Sequence, residues 1–261
     1  MKKNLYCLAL MAALVSQAFT GTSLFASVTD DRIESTAKKT YVFKTYLKND
    51  NIKVASKSGD VLLTGTVSQE SHKALARDTV ASMPGVKSVD SKLTLKGEEP
   101  APNSDAWLLT KVKFTLLFHK NVNAVGTEVT TQNGVVTLRG KASSMAQKDL
   151  TTEYVNDIDG VKGVKNEMEV PNVATTLNAN PQGKRMAAMN EHVDDASITA
   201  LVKATLFYHR STSALNTTVE TKNGVVTLAG KAKNAAEKDL AAKIVSDVHG
   251  VKKVVNSITV G

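Results

Sequence analysis

Apolar and polar positions along this chain follow two rhythms, and the pair of rhythms occurs three times. Ile198, Leu201, Val202, Thr205 and Leu206 fall at the i, i+3, i+4, i+7 spacing of one buried helix stripe, and Asp194 or Asp195 can cap its N-terminus. Leu108, Val112 and Leu116 give the same stripe earlier in the chain, and Ile33, Ala37 and Tyr41 earlier still. Each stripe gives way to period-two alternation around a turn. Asn133-Gly134 and Asn223-Gly224 stand between short runs of β-branched residues, and a two-residue hairpin turn needs positive φ at both of its central positions. Counting outward from Asn133-Gly134 sets Gln132 against Val135 and Val129 against Leu138. The same count pairs Val219 with Leu228 and, around Ser58-Gly59, Val54 with Leu63, with Val136, Val226 and Val61 on the same inward face.

A second helix follows each hairpin. In the middle copy it runs from about Ser144 to Asp159 with a stripe of Leu150, Val155 and Ile158, matched by Leu240, Val245 and Val248 and by Leu75, Val80 and Met83. Gly160, Gly250 and Gly85 then stand where a helix end takes a left-handed residue. A last strand closes each copy, ending Met168-Glu169-Val170, Ile258-Thr259-Val260 or Leu93-Thr94-Leu95.

The copies share one register. Gly134 and Gly224 are 90 residues apart and Gly59 and Gly134 are 75 apart, and both offsets also relate Asp30, Asp105 and Asp195. A register kept over about 65 residues means one small module written three times. The expected fold is α+β: three tandem αββαβ modules, each a mixed three-stranded sheet with two helices on one face, because the strand–helix–strand part is a right-handed crossover. The modules span 29–97, 104–171 and 194–261, with a leader at 1–26 and a linker at 172–193. About 67 residues is near the lower limit for an independent core, so neighbouring modules are expected to lean on one another. The second linker is the longer and more polar one, which predicts that the third module moves more freely than the second.

Residues 1–26 read as a signal peptide that directs export to the periplasm. Lys2-Lys3 is followed by the uncharged apolar run Leu5 to Val15, and Ser16-Gln17-Ala18 and Leu24-Phe25-Ala26 are alternative cleavage sites. An uncleaved anchor needs a run of about 20 apolar residues, and this one is shorter. The single cysteine, Cys7, lies inside the leader behind Tyr6, where a lipidation signal takes a small residue. A mature chain therefore has no thiol for a disulfide or a metal. Removing the leader lowers the net charge from +8 to +6, and the excess sits on the outer modules, which carry 12 basic against 8 acidic and 9 against 6 side chains. That balance suits weak attraction to an anionic surface.

Three blocks of the third module, Asp194-Asp195-Ala196-Ser197-Ile198-Thr199-Ala200-Leu201-Val202-Lys203, Asn223-Gly224-Val225-Val226-Thr227-Leu228 with Gly230, and His249-Gly250-Val251-Lys252-Lys253-Val254, resemble the BON domain family of OsmY-like periplasmic proteins. The resemblance covers all three modules. The first departs from it at Ser58-Gly59-Asp60 and at Lys38-Lys39-Thr40, which interrupts the helix stripe. It implies that the repeated glycines serve the turn, the strand end and the helix cap. It also implies attachment to phospholipid or envelope surfaces, protection against osmotic or envelope stress, and no catalysis.

The residues agree with a protein that is not an enzyme. There is no Cys-x-x-Cys, Gly-x-Ser-x-Gly, phosphate-binding glycine loop or His-Glu-x-x-His, so no cofactor or metal is expected. Gly160-Val161-Lys162-Gly163 is similar to the clamp of KH domains, but Ser88 and Lys253 take the place of its last glycine in the other modules, and no nucleic-acid partner is expected. His119 and His209 end the first helices of two modules, where a cation complements the carbonyl end of a helix. The candidate contact lies on the second module's first helix. Trp107, Phe114 and Phe118 share a line with Lys111, flanked by Lys113 and Lys120, whereas the third module has Ser197, Ala204 and Tyr208 at the aromatic positions. Rings beside lysines suit the boundary of an anionic phospholipid layer, and the same row also suits a neighbouring module. The partner expected is an anionic phospholipid or other envelope component, bound weakly by several modules together, with client proteins of a chaperone-like scaffold as the alternative.

Overall fold

The computed structural model describes residues 23–98, 100–171, 192–212 and 216–261; the expected leader as far as residue 22 and the linker from 172 to 191 lie outside them. The first module comprises α1 (Ser23–Ala37), α2 (Tyr41–Thr45), β1 (Asn51–Lys57), β2 (Asp60–Val67), α3 (Glu70–Ala81) and β3 (Ser88–Leu95). The second comprises α4 (Asp105–Phe118), β4 (Thr127–Gln132), β5 (Val135–Gly140), α5 (Met145–Asn156) and β6 (Gly163–Asn166). The third comprises α6 (Asp195–Tyr208), β7 (Asn216–Lys222), β8 (Val225–Ala232), α7 (Ala235–Ser246) and β9 (Lys253–Val260). In each sheet the second strand is central, antiparallel to the first and parallel to the third, as an αββαβ order with a crossover requires.

The hairpins have the register that the alternation predicts. Val129 faces Leu138, Val219 faces Leu228 and Val54 faces Leu63, all buried. Asn133 and Gly134 hold φ of 52° and 82°, which a β-branched residue would resist. One aspartate per module fastens this turn to the first helix. The Asp105 carboxylate accepts hydrogen bonds from Asn133 N at 2.7 Å and Gly134 N at 2.9 Å, and Asp195 and Asp30 do the same for Asn223-Gly224 and Ser58-Gly59. Asp194, not Asp195, is therefore the helix cap, accepting from Ser197 N at 2.9 Å. At the end of β5, Gly140 lies so close to the first strand that a Cβ would stand 2.1 Å from the Gly126 carbonyl oxygen.

Three local expectations are corrected. The Lys38-Lys39-Thr40 turn splits the first helix, and Thr40 caps α2, so the buried stripe passes from Ile33 and Ala37 to Val42 and Phe43, leaving Tyr41 half-buried. Strand β6 ends at Asn166, short of the expected end, yet pairing partly persists beyond it: Glu167 N donates to Leu138 O and Glu169 N to Gly140 O, both at 2.8 Å, with Glu169 opposite Lys141, whereas in the third module β9 runs on past the equivalent Asn256. Leu150 and Leu240 are half-buried whereas Leu75 is buried, because α3 packs on a neighbour and the other two line an open cleft between α5 and α7.

The third module is the centre of the molecule, which overturns the expectation that it moves more freely than the second. Helix α6 lies on its own sheet, against α3 of the first module and against α4 of the second. Its residues Ala196, Ser197, Ala200 and Leu201 are all buried, the pattern of a helix covered on most sides. Modules one and three share one apolar core, which Phe114 and Phe118 of the second module also enter. Linker length sets how far a module can travel, but the surfaces it buries set whether it does. The same packing replaces the picture of separately tethered binding units with one body.

Candidate functional site

The candidate row on α4 divides between the inside and the outside of this body. Ser104 caps the helix by accepting from Trp107 N, and the stripe Leu108, Val112, Thr115 turns toward the module's own sheet. The next line of residues then faces the place where the three modules meet. Phe114 is 3% exposed and Phe118 fully buried. Their ring centroids are 4.5 Å apart, and Phe114 lies 5.9 Å from Tyr208 of the third module and 5.4 Å from His72 of the first, whose Nδ1 is 2.5 Å from Asp50. Phe118 meets Tyr46 edge-on at 5.5 Å, and the Tyr46 hydroxyl donates to Leu117 O. These two phenylalanines join modules; Phe118 is fully covered, whereas Phe114 forms part of the floor of a groove at the junction.

Lys120 is also engaged within the chain. Its ammonium donates to Ser246 O at 2.6 Å and Val251 O at 3.1 Å, at the C-terminal end of α7, where a cation satisfies carbonyls that the helix leaves unpaired.

Trp107 and Lys111 hold the open end of the row, whereas Lys113 lines a separate cleft with Thr45, Tyr46 and Leu117. Lys113 is exposed and Trp107 half-buried. The Lys111 Nζ lies 4.5 Å from the centre of the Trp107 ring and 5.9 Å from that of Tyr208, donates to Asp159 O at 3.3 Å and sits 3.9 Å from Asp159 Oδ2. Burial holds this ammonium below the usual lysine range, with Asp159 working against the shift. The Trp107 and Lys111 side chains line a groove of about 450 Å³ together with Phe207, Tyr208, Leu95 and Lys96, so every module contributes to it. Phe207 is 68% exposed at this groove, and burial pushes the Tyr208 phenol up to about 12. A cation fixed on an aromatic face beside an uncovered ring suits an anionic headgroup joined to an apolar body.

Phe207 and Tyr208 were the residues that helix periodicity on α4 alone does not reach. Their signal was the adjacent pair of large rings at the end of α6, where the stripe needs only one apolar position. His119 and His209 do end their helices as the spacing predicts, but they face one another with an Nε2 to Nε2 distance of 3.1 Å. Among the described residues no three His, Cys, Asp or Glu side chains are grouped to hold a metal ion, and no helix is long and apolar enough to cross a membrane.

Comparison with known proteins finds three copies of one module. A family model, the BON domain, matches residues 29–97, 104–172 and 194–261. The chain is similar to Osmotically-inducible protein Y of Escherichia coli, 27% identical over 198 residues that cover 76% of this chain and 92% of that protein. It is also similar to a 21 kDa hemolysin of Actinobacillus pleuropneumoniae, 30% identical over 55% of this chain and 73% of that protein. Outer membrane lipoprotein DolP of Haemophilus influenzae is 28% identical over 56% of this chain and 74% of its own length.

Proposed function

The chain belongs to the BON domain family, with three copies in tandem, and from that premise we propose that it is an exported, non-catalytic envelope protein that adheres to anionic phospholipid and acts in osmotic or envelope stress. The observation that carries this reading is the Trp107–Lys111 pair at the mouth of the groove. The ring is half-buried, the ammonium is held over its face, and the exposed Phe207 ring lines the same groove. Rings reach the acyl boundary and lysines meet the headgroups, while the buried half of the row keeps α4 rigid behind them. Affinity from one such patch is modest, and the outer modules' positive excess adds a long-range attraction that salt screens.

Trp107 is the only tryptophan, so its emission reports the contact directly. Vesicles containing phosphatidylglycerol should shift the emission to shorter wavelength and carry the protein to the top of a flotation gradient. Phosphatidylcholine vesicles should do neither, and about 0.5 M salt should release the protein. An unchanged spectrum without flotation would overturn the lipid reading. Binding that is indifferent to salt and to lipid charge would also overturn it, and would favour apolar client proteins.

A further inference from the structure

The seam between the second and third modules has the pattern of a two-fold axis. Equivalent histidines end α4 and α6, and equivalent carboxylates, Asp157 and Asp247, end α5 and α7. Each histidine meets the other module's carboxylate: His209 Nδ1 is 3.1 Å from Asp157 Oδ2 and His119 Nδ1 is 3.4 Å from Asp247 Oδ2. The backbones pair in the same sense. Lys120 N donates to Asp247 O, Arg210 N to Asp157 O, and His249 N to Phe118 O at 2.9 Å. At the centre the two rings are 1% and 0% exposed.

The distances are met by the following assignment of the protons. His209 Nδ1–H donates to Asp157, which leaves His209 Nε2 as a lone pair that accepts from His119 Nε2–H at 3.1 Å. His119 Nδ1 is then a buried lone pair without a well-aligned hydrogen bond, 3.4 Å from the Asp247 carboxylate. One added proton has a place at that atom. A second has none, because it must go to His209 Nε2 and set two N–H donors head to head.

The surroundings decide how the seam responds to acid. Asp157 stays ionised: burial pushes its carboxyl up, but the hydrogen bonds from His209 and Ser211 together hold it below the usual range. Asp247 accepts from the Tyr154 hydroxyl at 2.8 Å and from Asn121, and Tyr154, next to Glu153, stacks on His119 at 3.8 Å. Against these negative groups stand the cations Lys120 and Arg210 and a third imidazole, His249. Burial is the largest effect on both His119 and His249 and holds each below the usual imidazole value. A group shifted in that direction adds stability above its ordinary value and withdraws it as the pH falls through the shifted one.

We propose that the buried His119–His209 pair is an acid-released latch, whose double protonation breaks the bond between the rings and opens the seam between the second and third modules while the first and third stay joined. The contact that stays joined uses other chemistry. There Tyr41 N donates to Asp194 Oδ2 at 2.8 Å and Val42 N to Ser197 Oγ at 3.0 Å over a shared apolar core. Opening uncovers Ile158 and Val248, both fully buried and bridged to the opposite histidines when the seam is closed. The latch does not depend on what the groove near Trp107 binds.

Amide hydrogen exchange on the full chain tests the latch, corrected for intrinsic rates and followed from about pH 8 to pH 5. Protection at Lys120, Arg210 and His249 should fall at least about tenfold on acidification while Tyr41 and Val42 keep theirs. In His119→Gln/His209→Gln, where neither side chain can take a proton, that selective loss should vanish. The proposal is overturned if the five amides keep their protection or lose it together, or if the selective loss survives in the double variant. Should that variant fail to fold, imidazole carbon shifts of the unaltered chain decide the matter: both rings must titrate over the range in which the seam amides lose protection, and rings that stay neutral there overturn the latch.

Discussion

Helices α4 and α6 occupy the same place in their modules and differ in what lies outside. On α6 the positions turned away from the sheet are Ala196, Ser197, Ala200 and Ala204, and α3 comes close enough to cover them. On α4 the counterparts are Ala106, Trp107, Thr110 and Phe114, and the space they face is a junction with an open groove. Small residues let a neighbouring helix approach, and large ones fill a gap where none does. The outward face of each helix thus records its neighbour, and one module written three times yields a central copy, a flanking copy and a copy with a patch left over.

The largest effect that separates the two helices is expected at Phe118. Phe118→Ala removes a fully buried ring shared by the modules and should lower stability by about 3–5 kcal/mol, read as a shift of the urea midpoint. A loss below about 1 kcal/mol would mean that α4 does not enter the common core. Next comes Ala200→Leu on α6, which puts bulk where α3 closes and should cost about 1–3 kcal/mol. A neutral outcome would separate the first and third modules. The smallest effect on stability is expected at the open end: Trp107→Ser should change it by no more than about 1 kcal/mol while abolishing the flotation on anionic vesicles. That combination, with the order of the other two, is what distinguishes a groove residue from a core residue.

Much of each module is legible in the sequence because its code is local. Asn133-Gly134 fixes the turn, the turn fixes the register, and the register decides that Val129 and Leu138 share a face. The αββαβ order then follows from chain connectivity. The relation between modules is not local. His119 and His209 are 90 residues apart and repeat one position, so each reads as a helix end, and only the two-fold pairing of the seam shows that they meet. The row on α4 is legible as an anomaly, but lipid and a neighbouring helix ask for the same rings. The sequence carried a hint of the outcome in Ser197, Ala200 and Ala204, since an apolar helix with small residues on its outer side leaves a face that must be covered. Lys120 gave no such hint, because a lysine that caps carbonyls and a lysine in water look alike in one dimension.

Contacts between rings of different modules are the most direct test that the three copies form one body. Nuclear Overhauser spectra of the full chain near neutral pH should contain cross-peaks between Phe114 and Tyr208, whose centroids are 5.9 Å apart, and between His119 and Tyr154 on one side and His209 on the other. Spectra that show each module's internal contacts and none of these would contradict the account, leaving three independent units on their tethers.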